Sequence, residues 1–258
     1  MHNVSLGRAL YTVIIGPAGS GKTTLTAALG RWIEENQGFR VSYVNLDPGA
    51  DQLPFKADVD VRDWVTVQRL MRERGLGPNG ALIACMEEVY ARRSEVLARI
   101  SKLPAEFVLI DTPGQMELFL FHDAGPAVSR ELKKLGSACA VMLFDSSLAR
   151  VPSHFATLNL MGVVARLQLE IPVVIALNKG DLANAPRAGT WARNPNILLN
   201  ELRKEPGVIS ELAGRLVEIL NEFNLAVRIP IISSLTQQGF GELYDLIHEI
   251  WCACGDLT

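Results

Sequence analysis

Short apolar runs recur along the chain, separated by longer stretches with apolar residues three or four positions apart. Runs that are apolar at every position are typical of parallel strands covered on both faces, and the wider spacing predicts amphipathic helices. The predicted strands are residues 11–15, 41–45, 107–111, 139–145, 173–178 and 228–233. The predicted helices are residues 22–36, 60–74, 81–103, 116–135, 154–169, 195–224 and 241–252, and the proline-containing stretch 183–196 is predicted to be an exposed loop.

This alternation predicts an α/β fold with a mostly parallel central sheet flanked by helices. No repeat, low-complexity tract or linker interrupts the 258 residues, so we expect a single domain over 1–258 with an insertion at about 48–104. Helical insertions beside a binding site commonly carry partner contacts. The hydrophobic content of 48% and the charged content of 21% are ordinary for a globular protein.

Charge and hydropathy exclude some classes of partner. The net charge of −3 disfavours a broad nucleic-acid-binding face, so no direct nucleic-acid contact is expected. No apolar run approaches the roughly 20 residues of a membrane span, and no membrane partner is expected. The first residues lack the organisation of a signal peptide. These observations predict a cytoplasmic protein.

Residues 16–23 fit the phosphate-binding pattern G-x-x-x-x-G-K-[ST] at every fixed position. A predicted strand precedes them and a predicted helix follows, so free backbone N–H groups at the helix start would face anions. Lys22 can reach the β- and γ-phosphates, and the Thr23 hydroxyl can bind Mg²⁺. The predicted phosphate-contacting residues are Gly16, Pro17, Ala18, Gly19, Ser20, Gly21, Lys22, Thr23 and Thr24.

A second candidate motif ends the strand at 107–111. Asp111 is expected to lie at the metal, either directly or through water. In the following Thr-Pro-Gly-Gln, Gly114 is placed for its N–H to meet a γ-phosphate and Gln115 to orient water. Glu117 is a further candidate for contacting that water. A turn that merely ends the strand is the alternative.

Asn178-Lys179-Gly180-Asp181 follows the predicted strand at 173–178. The Asp181 carboxylate can accept hydrogen bonds from guanine N1–H and N2–H₂, a donor pair that adenine lacks. A site built around such hydrogen bonds rejects the analogue without them. Lys179 can lie along the base plane, and Asn178 can tie loops together. Ser233, Ser234 and Leu235, after the last predicted strand, would place backbone N–H groups near guanine O6.

Asp47 follows the predicted strand at 41–45 and reaches the same sheet edge. Ligands collect outside the carboxyl ends of parallel strands, so Asp47 is expected to face the metal or the attacking water, with a turn or cap as the alternative. Gly77-Pro78-Asn79 separates two insertion helices and is by itself simple turn chemistry. Cys252 and Cys254 are either half of a metal or redox site or, with no second Cys or His cluster beside them, small packing residues.

Taken together, these motifs resemble the GPN-loop GTPases nearly end to end. The resemblance is carried by Gly16–Thr23, Asn45-Leu46-Asp47-Pro48-Gly49, Gly77-Pro78-Asn79, Asp111-Thr112-Pro113-Gly114-Gln115, Phe119-Leu120-Phe121-His122, Asn178-Lys179-Gly180-Asp181 and Cys252-Ala253-Cys254-Gly255-Asp256-Leu257. It implies a phosphate-loop fold of the dimer-activated, SIMIBI-like class with an all-parallel core. It also implies a homodimer in which Asn79 of the Gly-Pro-Asn loop reaches toward the partner's phosphates, and protein clients such as assembling RNA polymerase.

Two departures from related patterns change the expectations. Pro17 and Ala18 stand where wider relatives carry a lysine that crosses the dimer, so another cation must neutralise charge; the candidates are Lys56, Arg62, Arg72 and Arg74. Ser234 and Leu235 replace the common Ala-Lys at the base-binding end.

The sequence therefore predicts a Mg²⁺-dependent GTPase that binds GTP and GDP. Asp47 and Gln115 would orient the attacking water, and Thr23, Asp47 and Asp111 would lie at the metal. Positioning of the reactants and electrostatic stabilisation would account for most of the lowering of the activation barrier. The alternatives are a phosphate-loop kinase, against which the Asn178–Asp181 motif argues, and a nucleotide-gated interaction protein with negligible turnover.

Overall fold

Six parallel strands form the centre of the protein, seen in a computed structural model that describes residues 9–182, 186–222 and 228–255. The strands are β1 (Leu10–Ile15), β2 (Val41–Asn45), β3 (Val59–Asp60), β4 (Phe107–Asp111), β5 (Ser137–Asp145) and β6 (Val173–Asn178). They lie in the order β3-β2-β4-β1-β5-β6, and every neighbouring pair is parallel. The predicted α/β class with a parallel central sheet is therefore confirmed.

Helices cover both faces of this sheet. They are α1 (Lys22–Gln37), α2 (Val67–Arg74), α3 (Pro78–Ala91), α4 (Arg93–Ile100), α5 (Met116–Leu120), α6 (Ala124–Leu135), α7 (Pro152–Leu169), α8 (Pro186–Arg193), α9 (Pro195–Leu202), α10 (Val208–Glu222) and α11 (Phe240–Gly255). Short 3₁₀ turns lie at Val61–Asp63 and Ser146–Leu148. No helix in the described part of the chain combines the length and apolar character needed to cross a bilayer.

Side chains alternate between two apolar layers along β1. Val13 and Ile15 pack with the helices of the insertion and with α6 and α7. Leu10 and Ile14 pack on the opposite face against α1 and α11. All six residues of β1 are buried, including the polar Thr12, which explains why the strand is otherwise apolar along its whole length. The rigid sheet holds the carboxyl ends of β1, β2, β4, β5 and β6 at one edge.

The structure divides four of the predicted helices. Residues 60–74 contain the end of β3, a 3₁₀ turn and α2, because Asp60 pairs with Asn45 in the sheet and its side chain caps the turn. Residues 81–103 divide at Arg92, whose backbone leaves helical geometry. Residues 116–135 divide after Phe121, and residues 195–224 divide before Gly207, which adopts a φ of 112°.

Two further predictions were wrong in part. The predicted strand at 228–233 forms a single bridge, Leu177 to Ile231. The predicted loop at 183–196 contains α8 and the start of α9, where the Asn194 side chain accepts hydrogen bonds from the first turn. Its residues 183–185 lie outside the described chain. The first error concerns a segment beside the edge strand β6. The second overlooked the local signals of a helix start, the Asn194 cap and Pro195 in the first turn.

Candidate functional site

The phosphate loop connects β1 to α1 at the carboxyl edge of the sheet. Gly16 and Gly21 have φ angles of 150° and 95°, a region that disfavours side chains. A Cβ on Gly16 would collide with the Leu143 carbonyl oxygen, and one on Gly21 would collide with Nδ2 of Asn178. The glycines therefore allow the close packing that forms the loop.

Lys22 is buried and lies against backbone carbonyls of this loop. Its Nζ donates to the carbonyl oxygens of Gly16 at 2.8 Å and Pro17 at 3.1 Å, and lies 3.4 Å from that of Gly114. Burial lowers the pKa of Lys22, while the charges of Asp111 and Asp47 oppose this shift. An ammonium group held by neutral acceptors can exchange them for phosphate oxygens, which attract it more strongly.

Asp111 and Thr23 form the part of the site suited to a cation. The Thr23 hydroxyl donates to Oδ2 of Asp111 at 2.7 Å. The second oxygen, Oδ1, is buried without a hydrogen-bond partner, and burial raises the pKa of Asp111 to about 6, with the charge of Asp47 adding to the shift. Mg²⁺ prefers oxygen ligands and usually takes one or two carboxylates together with phosphate and water. These residues fit that ion.

Asp47 lies in the turn after β2 and is half-buried. Its Oδ1 accepts a hydrogen bond from the Gly49 N–H at 2.8 Å. Burial raises the pKa of Asp47, whereas the Gly49 N–H, Lys22 and the Gly114 N–H lower it. The structure thus places Asp47 close enough to Lys22 and Asp111 for their charges to affect one another.

A polar network behind Asp47 was not predicted. Asn45 is fully buried; its Nδ2 donates to the Asp47 carbonyl at 3.1 Å and to Oδ1 of Asp60 at 2.9 Å. Asp60 also holds Arg62 in an ion pair of 2.6 Å, and Arg62 donates to the Ala50 carbonyl at 2.9 Å. The network therefore fixes both sides of the turn. Arg62 is committed within its own chain, which weakens its candidacy as a charge-neutralising group.

The Gly-Pro-Asn loop lies at the exposed end of the insertion. Gly77 precedes the first turn of α3, Pro78 begins the helix, and residues 77–80 are exposed. Oδ1 of Asn79 accepts a hydrogen bond from Nε2 of Gln115 at 3.3 Å within the same chain. Glu117 is exposed in the first turn of α5. The loop is thus beside the predicted water-orienting residue, a contact that the sequence did not indicate.

The other candidate cations differ in their surroundings. Arg74 lies 3.6 Å from Glu88, within the helix pair of the insertion. Lys56 is exposed and lines an open cleft beside β3, and Arg72 is exposed on α2. None of the contacts described for Lys56, Arg72 and Arg74 is with Lys22.

The motif predicted to bind the base lies at the end of β6. Asn178 is buried and its Nδ2 donates to the carbonyl of Ser20 at 2.8 Å, while its Oδ1 accepts from the backbone N–H and the hydroxyl of Ser234, both at 2.9 Å. A pocket of about 200 Å³ opens beside it. The pocket is lined by Gly21, Thr24, Asn178, Lys179, Asp181, Leu182, Ser233, Ser234 and Leu235. All the residues predicted to bind the base thus meet at one pocket.

Two residues next to this pocket were missed. Asp145, the last residue of β5, forms an ion pair of 2.7 Å with Lys179, and the Ser146 hydroxyl donates to the Lys179 carbonyl at 3.0 Å. The available signal was the position of Asp145, a carboxylate at the end of a strand that reaches the same sheet edge.

Of the two carboxyl-terminal cysteines, only Cys252 has a described side chain, and it belongs to no metal-binding group among the described residues. Cys252 is exposed, with its Sγ 3.5 Å from Nδ1 of His248, and the side chain of Cys254 lies outside the described residues. Among the residues described, no group of three or more His, Cys, Asp or Glu could hold a metal by itself.

The parallel sheet, the glycine loop at the start of α1 and the adjoining polar pocket define a phosphate-loop nucleotide-binding protein. Residues 14–253 match a protein family described as "Conserved hypothetical ATP binding protein". The chain is 37% identical over 254 residues to the GPN-loop GTPase PAB0955 of Pyrococcus abyssi, covering 96% of this chain and 100% of that one. It is 36% identical over 249 residues to the GPN-loop GTPase QQT1 of Arabidopsis thaliana, covering 92% and 83%.

A solved structure gives the same result. The crystal structure of PAB0955, a GTPase in apo form from Pyrococcus abyssi, superposes with a TM-score of 0.88 at 35% identity, covering 95% of this chain and 98% of that one. The chain belongs to the GPN-loop GTPase family. The resemblance stated from the motifs is confirmed, and so is the enzyme class, GTPase.

Proposed function

We propose that the protein binds and hydrolyses GTP with Mg²⁺ and acts as a nucleotide-controlled switch. The observation that carries this proposal is that the phosphate loop and the base pocket share one sheet edge and are joined through Asn178, which bonds both Ser20 and Ser234. A nucleotide lying along this edge would have its phosphates at Lys22 and its base at Asp181.

Guanine is the base that this pocket favours. The Asp181 carboxylate lines the pocket and can accept from guanine N1–H and N2–H₂, whereas adenine would face it with an acceptor. The family description mentions ATP and the relatives are named as GTPases. The chemistry of the Asp181 motif supports GTP.

Hydrolysis would depend on positioning and on charge stabilisation. Lys22 and the loop N–H groups would bind the phosphate oxygens, and Asp47 and Gln115 would orient water at the γ-phosphate, with Glu117 nearby. Thr23 and Asp111 would hold Mg²⁺, beside Asp47. The ion would neutralise phosphate charge when bound.

A homodimer would complete the site. The Gly-Pro-Asn loop is exposed, so it is accessible to a second subunit, and a donor from that subunit could act where charge develops on the phosphates. The resemblance suggests clients among assembling protein complexes, RNA polymerase included. The free thiols of Cys85 and Cys252 fit a reducing compartment such as the cytoplasm.

Phosphate release from GTP and ATP, each with Mg²⁺ or with excess chelator, tests the reaction. We expect turnover of GTP only with Mg²⁺, and about a 100-fold loss in Asp47→Asn and Gln115→Ala. Asp123→Asn and Gln168→Ala, which change exposed residues of the same types, serve as controls. GTP binding without turnover would contradict the enzymatic part, and equal use of ATP would contradict guanine selection.

Mixing two inactive variants tests the role of the dimer. If Asn79 acts across the interface, Lys22→Ala mixed with Asn79→Ala should recover part of the turnover, because one site in each mixed dimer is complete. If Asn79 acts within its own chain, as its contact with Gln115 would allow, mixing recovers nothing. Light scattering with GDP and with a GTP analogue would measure the oligomeric state directly.

A further inference from the structure

Lys179 adopts an uncommon backbone conformation at the edge of the base pocket. Its φ is 61°, in the left-handed region that non-glycine residues rarely occupy. Three hydrogen bonds hold the surrounding turn. The Ser146 hydroxyl and the Leu182 N–H both donate to the Lys179 carbonyl at 3.0 Å, and the Gly180 N–H donates to the Ile232 carbonyl at 2.8 Å. Strain of this kind persists where the surroundings determine the conformation, often at binding sites.

Asp145 holds the other end of this lysine. One carboxylate oxygen accepts from the Lys179 ammonium at 2.7 Å, and the other accepts from the Ser147 N–H at 2.8 Å. Both oxygens are engaged, so the carboxylate has a fixed orientation. Asp145 pairs in register with Asn178 across β5 and β6, which places it immediately beside the base motif.

We propose that Asp145 is a positioning residue for base recognition, holding Lys179 along the pocket before a guanine nucleotide binds. The proposal rests on the proposed function, since it needs the pocket to receive the base. Lys179 lines the pocket, whereas Asp145 does not and acts through the lysine. A side chain that is ordered in advance loses less conformational freedom on binding.

This arrangement has a specific consequence for binding. Lys179 would contact the base, which is common to GTP and GDP, so Asp145 would contribute equally to both affinities. It would not change the chemical step at the phosphates. We expect Asp145→Asn to weaken both affinities about twofold to tenfold, the range for ordering one long side chain. The KM for GTP rises by a similar factor and kcat stays unchanged.

The experiment measures dissociation constants of GTP, GDP, ADP and inorganic tripolyphosphate by calorimetry. Asp145→Asn removes the negative charge and leaves one acceptor oxygen; with that oxygen on the Ser147 N–H, the amide NH₂ that faces Lys179 cannot accept from its ammonium. Lys179→Met keeps the apolar stem and removes the ammonium. Each variant and the double variant are compared, with Asp123→Asn as the control and thermal unfolding as the measure of folding. We expect unchanged tripolyphosphate affinity and no further loss from Asp145→Asn in the Lys179→Met background.

Equal weakening of tripolyphosphate and GDP would overturn the inference, because it would indicate general loosening of the site. The same loss from Asp145→Asn with and without Lys179 would also overturn it. A wild-type protein that binds ADP as tightly as GDP would overturn the proposed function and the inference together. Guanine preference in the wild type with full affinity in Asp145→Asn would overturn the inference alone.

Discussion

The two ends of the nucleotide site differ in how completely their polar groups are satisfied. At the base end, Asn178 uses its amide nitrogen and oxygen within the protein, and Lys179 is already paired with Asp145. At the phosphate end, Lys22 lies on loop carbonyls and one oxygen of Asp111 is buried without a partner. The base end is thus preorganised, whereas the phosphate end keeps charged groups whose best partners are not protein atoms.

This difference suggests that the base end serves nucleotide recognition and the phosphate end serves hydrolysis. A preorganised pocket binds without a large ordering cost and selects the base through a few directional contacts. Groups at the phosphate end carry buried charge that stabilises the fold little until an oppositely charged ligand binds. Substitutions at the two ends should therefore act on different quantities, affinity and selectivity in one case and turnover in the other.

The largest effect is expected at the phosphate end. Lys22→Ala should lower kcat for GTP about 100- to 1000-fold, because it removes a donor aimed at the developing charge. The initial rate of phosphate release at saturating GTP measures this effect. Lys102→Ala, an exposed lysine on the surface, should leave kcat unchanged. A Lys22→Ala protein with normal turnover would remove the basis of the comparison.

At the base end the expected effect is a change of selectivity. Asp181→Asn should weaken GTP binding about 10- to 100-fold, because an amide cannot accept both guanine donors. It should strengthen binding of XTP, whose carbonyl at C2 can accept from the new amide. Competition against a fluorescent guanine nucleotide measures both affinities. Unchanged preference among GTP, XTP and ATP would show that the pocket does not receive the base.

Asn178 joins the two ends, so its removal should affect the fold. Asn178→Ala leaves the buried carbonyl of Ser20 and the polar groups of Ser234 without their partner. We expect the free energy of unfolding to fall by about 1–3 kcal/mol. Urea denaturation measures it, with Asn200→Ala, an exposed position on α9, as the matched control. Equal stability of the two variants would contradict the role of Asn178 as a brace.

The smallest effect concerns Asp60 behind the phosphate end. Burial alone would raise its pKa, but hydrogen bonds from Arg62 and Asn45 outweigh burial and hold the pKa below its ordinary value of 3.8. The ionised Asp60 side chain therefore stabilises the folded protein above pH 3.8, and this contribution is lost as pH falls through the folded-state pKa. Urea unfolding measures the free energy of unfolding at pH 7 and at a pH below the folded-state pKa of Asp60. Between these two pH values, we expect the wild type to lose about 1 kcal/mol more of this free energy than Asp60→Asn loses. Identical pH dependence would contradict the ion pair's contribution.

The strands and motifs were predictable because their signals are local. A continuous apolar run before residues 16–23 indicates a buried strand, and glycines at fixed spacing indicate a turn of positive φ. The breaks within residues 60–74 and 81–103 have no strong local signal. The breaks within 116–135 and 195–224 had one, Gly125-Pro126 and Pro206-Gly207, but the surrounding helical pattern outweighed it.

The partners of the site residues were not predictable in this way. Asp145 and Lys179 are 34 positions apart, Gln115 and Asn79 are 36 apart, and Asn178 and Ser20 are 158 apart. Sequence patterns indicate periodicity and backbone preference over short windows. They do not indicate which residues from distant parts of the chain lie close together in the folded protein.

By itself the sequence determined the chemistry available to this protein: a phosphate loop, a carboxylate after β4 and the Asn178–Asp181 motif after β6, for which we propose guanine selection. Only the tertiary structure decided which groups those residues meet. The sheet order places β1 between β4 and β5, and this brings Lys22, Asp111 and the base pocket to one edge. The physical reason is that hydrogen bonding between strands and packing of the helices on both faces fix distances between residues that are far apart along the chain.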